Sequence, residues 1–122
     1  MPFITILDYS NGVVIHEGHG PISFEDIRSR LTSCFGEKGV PYHSLWDLRD
    51  ASLNQLNRDE IMALAGHARI HAQQNAGRSN AWVVAAPADF GLCRMLEMRT
   101  GGDGLRFGVF HEFEEAKKWL AT

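Results

Sequence analysis

The chain opens with two short β-prone runs and a turn signal between them. The runs cover residues 4–9 and 13–17, and Ser10-Asn11-Gly12 separates them. An Asn-Gly pair readily adopts the positive φ angles of a tight hairpin turn. The pattern predicts an antiparallel hairpin that ends at the break formed by residues 18–21.

Four later segments carry apolar residues at helical spacing. Ser23 with Asp26, and Asn57 with Glu60, form capping pairs ahead of the first two helices. The third helix is predicted to begin near Asp89. The helices are predicted to end at Gly36 and Gly39, near residues 75–77, and before Gly101-Gly-Asp-Gly104. The inward positions are Phe24, Ile27, Leu31, Cys34 and Phe35; Ile61, Leu64, Ala65, Ala68 and Ala72; Leu92, Met95 and Leu96; and Phe113, Ala116, Trp119 and Leu120.

Three apolar strand-like runs lie between these helices, over residues 40–48, 80–86 and 105–110. Strands that alternate with helices pair in parallel through right-handed crossovers, whereas a hairpin adds an antiparallel strand. The sequence therefore predicts an α/β fold. Its mixed five-stranded sheet opens with a β-hairpin and continues α-β-α-β-α-β-α, in one domain over residues 1–122.

Composition narrows the classes of function. Hydrophobic residues make up 44% of the chain and charged residues 22%, the balance of a globular protein. Twelve basic and 15 acidic residues give a net charge of -3, which disfavours nucleic acid as a partner. The apolar runs are too short to span a bilayer, and residues 1–6 do not resemble a signal peptide. We expect a cytoplasmic protein without membrane insertion.

Three stretches together resemble the SpoIIAA-like branch of the STAS fold, named for sporulation anti-sigma-factor antagonists. They are Leu45-Trp-Asp-Leu-Arg-Asp50, residues 85–95 and residues 110–120. With the hairpin, the resemblance covers nearly the whole chain. It implies a non-enzymatic regulatory or protein-interaction domain, and the divergent group that it resembles best has relatives among lipid-binding folds.

The chain departs from the resembled family at one functional position. In the partner-switching members, a serine at the start of the helix after the Asp-Leu strand is phosphorylated. Here Leu56 and Asn57 stand at that place, and Ser52 lies several residues too early. Regulation through a phosphorylated serine is therefore not expected at this position.

Polar side chains cluster where two neighbouring strands are predicted to end. Ligands of open α/β sheets bind at the carboxyl ends of strands, so two such loops could share one pocket. The helix start near Asp89 could also hold a phosphate. The competing interpretation is a set of helix caps and surface ion pairs. The predicted ligand- or partner-binding residues are Asp47, Arg49, Asp50, Ser52, Asp89, Phe90, Gly91 and Arg94.

Other chemistry is weakly signalled. His67 and His71 have the spacing of two metal ligands on a helix, but the sequence offers no third ligand, and a solvated helix face is favoured. The glycines at residues 101–104 precede a strand, unlike a phosphate loop, which precedes a helix. Cys34 and Cys93 fit buried thiols. We therefore expect no metal, no cofactor and no catalytic nucleophile.

Three functional hypotheses remain at this stage. The first is a domain that docks a protein partner, or a second copy as a homodimer, near an exposed apolar patch at Phe90 and Met98. The second is a carrier or sensor of a small apolar ligand, with an apolar cavity capped by Arg49, Asp89 or Arg94 and the ligand's anionic head at the strand-end loops. The third is an enzyme that uses Asp47, Asp50 or a histidine as acid or base.

Overall fold

The computed structural model describes residues 3–8, 10–35, 43–70, 79–100 and 106–122, without the side chains of 32–35, 68–70 and 100. The element order and the mixed five-stranded sheet agree with the prediction. The elements are β1 (Phe3–Asp8), β2 (Val13–Pro21), α1 (Phe24–Phe35), β3 (His43–Ser52), α2 (Arg58–Ile70), β4 (Ser79–Val84), α3 (Pro87–Thr100), β5 (Arg106–Phe110) and α4 (Phe113–Leu120).

The strands lie in the sheet in the same order as in the chain, β1-β2-β3-β4-β5. β1 pairs antiparallel with β2, and the other three pairings are parallel. Successive right-handed crossovers that all progress in one direction place their helices on one face of the sheet. Accordingly α2 contacts both α1 and α3, whereas α4 packs on the other face against β3, β4 and β5.

Two strands are longer than the sequence predicted. The segment 18–21 was predicted to be a break, but it continues β2, and β3 runs on through its charged residues to Ser52. A register shift between Glu17 and His19 lets the two strands pair again, with His19 opposite Asp50. A bulge of this kind admits an irregular residue without ending the ladder, which is why the glycines did not terminate the strand.

Local hydrogen bonds confirm the predicted turn and caps. Asp8 accepts hydrogen bonds from Ser10 and Asn11, and Gly12 has the positive φ of 64° that favours glycine. Both capping boxes form: backbone and side chain bond reciprocally between Ser23 and Asp26 and between Asn57 and Glu60. α3 begins earlier than predicted, at Pro87, whose fixed φ suits the first helical position.

We call the face of the sheet that packs against α1, α2 and α3 the helix-covered face. A row of aromatic rings lies at its centre. His16, Trp46 and Trp82 occupy adjacent strands at the same level, because each is the register partner of the next. The Trp46 ring centroid lies 4.5 Å from that of His16 and 5.1 Å from that of Trp82. Burial of His16, together with nearby Arg30, lowers the pKa of the imidazole to about 3, so it is neutral in the folded protein.

The opposite face is only partly covered. α4 buries Ala116 and Leu120 against Leu45, Ala81 and Val83, so its contacts concentrate on β3 to β5. On the same face of β1 and β2, Val13 is buried in the cluster beneath α4 and Ile15 is half-buried, but Ile4 and Ile6 are exposed. We call this surface, with Ile4, Ile6 and Ile15, the uncovered face; Ile6 is the register partner of Ile15.

Several sequence predictions lie outside the described residues. They concern the start of the third predicted strand at residues 40–42, the helix ends at 36–39 and 75–77, the glycines at 101–104, and His71. The side chain of Cys34 is also outside them. Cys93 is buried, as predicted, and its burial, with Asp89 nearby, raises the pKa of the thiol.

Gly18 should tolerate no side chain. A Cβ added there would lie 2.8 Å from Cδ1 of Ile22 and 2.9 Å from Cδ2 of Leu48, both in the core. We expect Gly18→Ala to lower the free energy of unfolding by about 1–3 kcal/mol through overpacking, measured by urea denaturation. In helix α2, a Cβ added at Gly66 meets nothing within 4 Å. Gly66→Ala should therefore raise the free energy of unfolding by up to about 1 kcal/mol. Equal effects of the two variants would contradict this packing.

His16 should make stability depend on pH. Its folded pKa of about 3 lies below the unfolded value of 6.5, so the unfolded chain binds the extra proton as the pH falls below 6.5. Stability is therefore full above pH 6.5 and is lost toward pH 3. Between pH 6 and pH 4.5, the wild type should lose up to about 1.4 kcal/mol per pH unit more than His16→Leu, measured by urea denaturation. Parallel pH profiles of the two proteins would contradict a buried neutral histidine.

Candidate functional site

The carboxyl half of β3 carries a bidentate ion pair. Arg49 donates from Nε to Oδ1 of Asp47 at 2.8 Å and from Nη2 to Oδ2 at 2.9 Å. Both side chains lie on the α4 side of the sheet, since Asp47 is the register partner of Val83, which packs beneath α4. Asp47 is buried, whereas the Arg49 side chain is about half exposed (47%). The exposed guanidinium edge remains available to a second group.

The pair holds Asp47 in its ionised form. Burial opposes ionisation of the Asp47 carboxyl, but the hydrogen bonds from Arg49 outweigh it and hold its pKa below the usual range. The same hydrogen bonds raise the pKa of Arg49. A carboxylate that is already ionised and doubly hydrogen-bonded is a poor general acid or base near neutral pH.

Arg49 also connects β3 to α4. Its guanidinium carbon lies 4.9 Å from the centroid of the Phe113 ring, and Nζ of Lys117 lies 5.7 Å from the same centroid. Two cations therefore approach one aromatic ring at the side of α4. Phe113 and Ile15 both pack against the hydrophobic cluster beneath α4, so this pair of cations borders the uncovered face.

The remaining predicted residues of β3 are placed differently. Asp50 is exposed and is the register partner of His19. Ser52 lies within the strand, where its carbonyl oxygen accepts a hydrogen bond from the backbone N–H of Ile22 at 3.0 Å. Its side chain is half-buried. Ser52 therefore serves the β2–β3 connection and is part of the sheet.

The predicted residues of α3 lie on the helix-covered side. Asp89 is buried in the first turn of α3. Phe90 stacks on His111, with ring centroids 4.2 Å apart, and His111 Nδ1 donates to the carbonyl oxygen of Val84 at 3.0 Å. Gly91 is exposed, and Arg94 forms an exposed ion pair with Glu97. These contacts fasten the start of α3 to the ends of β4 and β5.

The two predicted groups share one edge of the sheet but lie on opposite faces. Asp47 and Arg49 face α4, whereas Asp89 and Phe90 belong to the helix-covered side. Among the described residues, no hydrogen bond or ion pair joins the groups. The sequential strand order also contains no reversal among its parallel strands, which is the feature that opens a binding crevice in doubly wound sheets.

Within the described part of the chain, no group of three or more histidine, cysteine or acidic side chains has a geometry that could hold a metal ion. His67 lies on α2, and its proposed partner His71 is outside the described residues. No described helix is long and apolar enough to cross a membrane.

Sequence reasoning missed the largest concentration of exposed apolar side chains among the described residues. Ile4, Ile6 and Leu7 are 54%, 42% and 47% exposed, and all three lie on edge strand β1. The patch had been predicted at Phe90 and Met98. Met98 is indeed 76% exposed, but Phe90 is half-buried beneath His111. The missed signal was the presence of large apolar residues at both parities of β1, which one covered face cannot bury.

Comparison with known proteins identifies the fold. No family model matches the chain, and no curated protein matches its sequence. Among solved structures it is similar to an uncharacterised protein of the DUF3478 family with a SpoIIAA-like fold from Shewanella loihica. That likeness has a TM-score of 0.60 and 15% sequence identity, and covers 97% of this chain and 91% of that one. The chain therefore has the SpoIIAA-like α/β fold that its sequence motifs resemble.

Proposed function

We propose that this chain is a non-enzymatic protein-interaction domain that docks its partner on the uncovered face and the adjoining edge of β1. The observation that carries the proposal is the exposure of Ile4 and Ile6 on a sheet face that α4 leaves open. Fully burying an exposed isoleucine contributes about 1.5–3 kcal/mol. Two such side chains and half-buried Ile15 give this surface the apolar centre of a protein interface.

The edge strand itself supports docking. Free strand edges are normally blunted by charges, prolines or bulges, because unpaired backbone groups recruit other strands. Residues 3–7 contain none of these, and their register with β2 is continuous. Arg30 reaches this strand from α1, donating to Oγ1 of Thr5 at 2.6 Å and to the carbonyl oxygen of Phe3 at 3.3 Å. The rest of the strand is open to a partner.

The chemistry of the candidate groups favours binding over catalysis. Asp47 is an ion-paired carboxylate, and Cys93 is a buried thiol whose pKa is raised, so neither is poised as a base or nucleophile. The buried His16 is held neutral in the core. The SpoIIAA-like fold, typically non-enzymatic, agrees with this assignment.

A capture experiment tests the docking surface. Tagged wild type, Ile6→Asp and Met62→Asp would be incubated with an extract of the native organism, and bound proteins quantified by mass spectrometry. Ile6→Asp should capture at least about tenfold less of a specific partner than the wild type does, because it places a charge in the apolar centre of the surface.

Met62→Asp is the matched control, since Met62 is an exposed apolar residue on α2 (37%). It should retain the partner. Circular dichroism establishes that all three proteins fold. Identical capture by the three proteins, or equal losses in the two variants, would refute docking at the uncovered face.

A second candidate function is a carrier of a small amphipathic ligand, and a different observation favours it. The indole Nε1 atoms of Trp46 and Trp82 and the Oδ1 atom of Asn80 are buried without a hydrogen-bond partner among the described residues. All three side chains point to the helix-covered face, as the register places them. Such atoms cost about 1–3 kcal/mol each when unsatisfied. A ligand hydroxyl could both accept from an indole and donate to Asn80.

Tryptophan fluorescence tests the carrier. In Trp119→Phe, emission comes from Trp46 and Trp82 alone. If the chain is a carrier, 1-decanol should shift this emission and raise the melting temperature more than decane does. Asn80→Leu should remove the difference between 1-decanol and decane. A control titration of Phe107→Leu tests whether loss of this difference is specific to a contact with the polar head of the ligand. Absence of any emission or melting shift with 1-decanol would eliminate the carrier of such ligands.

A further inference from the structure

We infer that the partner of the uncovered face is a second copy of this chain, whose β1–β2 ribbon packs on it beside α4. This inference rests on the proposed function, because it names the occupant of the same surface. Four features carry it: the height of α4 above the sheet, the apolar floor, the charges at its border, and the polarity of the other exposed surfaces.

The height of α4 defines the space. Stacked sheets pack about 10 Å apart, and a helix with its side chains is about 10–12 Å across. α4 covers β3 to β5 and Val13 at the start of β2, and leaves β1 and the rest of β2 as a step one layer lower. A two-stranded ribbon that packs on β1 and β2 therefore lies level with α4. It fills the step and meets the side of the helix that carries Phe113 and Lys117.

The centre of the floor, where Ile6 and Ile15 lie side by side, is complementary to itself, whereas Ile4 is the register partner of Glu17. A two-fold axis between the two layers, parallel to the strands, places β1 of one copy over β2 of the other. Ile6 of each copy then packs against Ile15 of its partner, because these residues are register partners within each chain. Such an isologous contact is formed twice, and its closed symmetry stops at a dimer. Two sheets that pack face to face commonly keep their strand directions within about 30° of each other.

Charges at the border support the same arrangement. Asp8 lies at the end of β1 and accepts hydrogen bonds from Asn11 and Ser10, which lower its pKa, and the charge of Lys117 on α4 adds to that effect. The two-fold axis keeps strand ends level and brings the edge of the second copy's β1 beside α4. The second copy's Asp8 then approaches Lys117, and this contact also occurs twice. Lys117 then lies between the Asp8 carboxylates of the two copies, and both attract its positive charge.

The other described surfaces do not offer a second copy an alternative apolar surface on which to pack. The outer side of α4 carries Glu114, Glu115 and Lys118, which are exposed and charged. Outside β1, the exposed large apolar side chains of the described residues are Met62 and Met98, single residues on helices of the covered side. Among the described residues, only the uncovered face groups two large exposed apolar side chains on one surface, Ile4 and Ile6.

Mass measurements at several concentrations test the inference. Native mass spectrometry and light scattering should give a dimer for the wild type and for Met62→Asp. Ile6→Asp should raise the dissociation constant at least about tenfold, and Ile4→Lys serves as a second variant if Ile6→Asp does not fold. Lys117→Asp should weaken the dimer, and adding Asp8→Lys should restore it. A monomeric wild type at the highest concentration, or an undiminished dimer in folded Ile6→Asp, would overturn the inference.

Cross-linking locates the interface. In a Cys34→Ser background, Ile6→Cys should form a covalent dimer with a short bismaleimide, while Met62→Cys should not. The remaining Cys93 is buried. A dimer that cross-links only through Met62→Cys would also overturn the inference. If the wild type is monomeric but still captures another protein through Ile6, the dimer is rejected and the interaction domain is retained. If the wild type neither dimerises nor captures a protein through Ile6, both proposals are rejected.

Discussion

The pairing of β3 between β2 and β4 is the constraint on which the rest of the structure depends. Side chains of a strand alternate between faces, so β3 sends Trp46 and Leu48 under α1 to α3 and sends Leu45 and Asp47 toward α4. All of these residues are buried. A shift of β3 by one residue would place Asp47 in the aromatic row and Trp46 beneath the short α4, and both cores would be lost.

The uneven cover of the two faces follows from this topology. Three crossover helices fall on one side because the parallel strands progress in one direction, so of the described helices only α4 lies on the other side. An eight-residue helix spans about 12 Å, too short to cover five strands spaced about 4.8 Å apart. α4 lies over the parallel half, and the hairpin strand β1 keeps apolar side chains in solvent. The proposed docking surface is thus a consequence of the fold.

Sequence predicted the fold well, because its strongest signals are local. The Asn-Gly turn and the two capping boxes form hydrogen bonds within three residues, and α4 shows a clear apolar spacing. The Gly18–Pro21 segment was misjudged because glycine and proline usually end strands. Here Gly18 lets Ile22 and Leu48 pack closely, and a bulge restores pairing beyond it.

The candidate site was less predictable, because it depends on which side each strand end faces. Sequence grouped Asp47, Arg49 and Asp89 by their common edge, but register assigns the first two to the α4 side and Asp89 to the covered side. The exposure of β1 depends on the length and placement of α4, which no local pattern encodes. The burial of His16 was not predicted either, because it depends on the register that places it beside Trp46.

The most direct test of the docking surface is the solvent accessibility of individual methyl groups in solution. In protein labelled at isoleucine δ1 and methionine ε methyls, a soluble paramagnetic agent would be titrated at low and high protein concentration. If a second copy docks on the uncovered face, the methyls of Ile4 and Ile6 become protected as the protein concentration rises, while those of Met62 and Met98 stay accessible. Unchanged accessibility of Ile4 and Ile6 at concentrations where a dimer is present would contradict it.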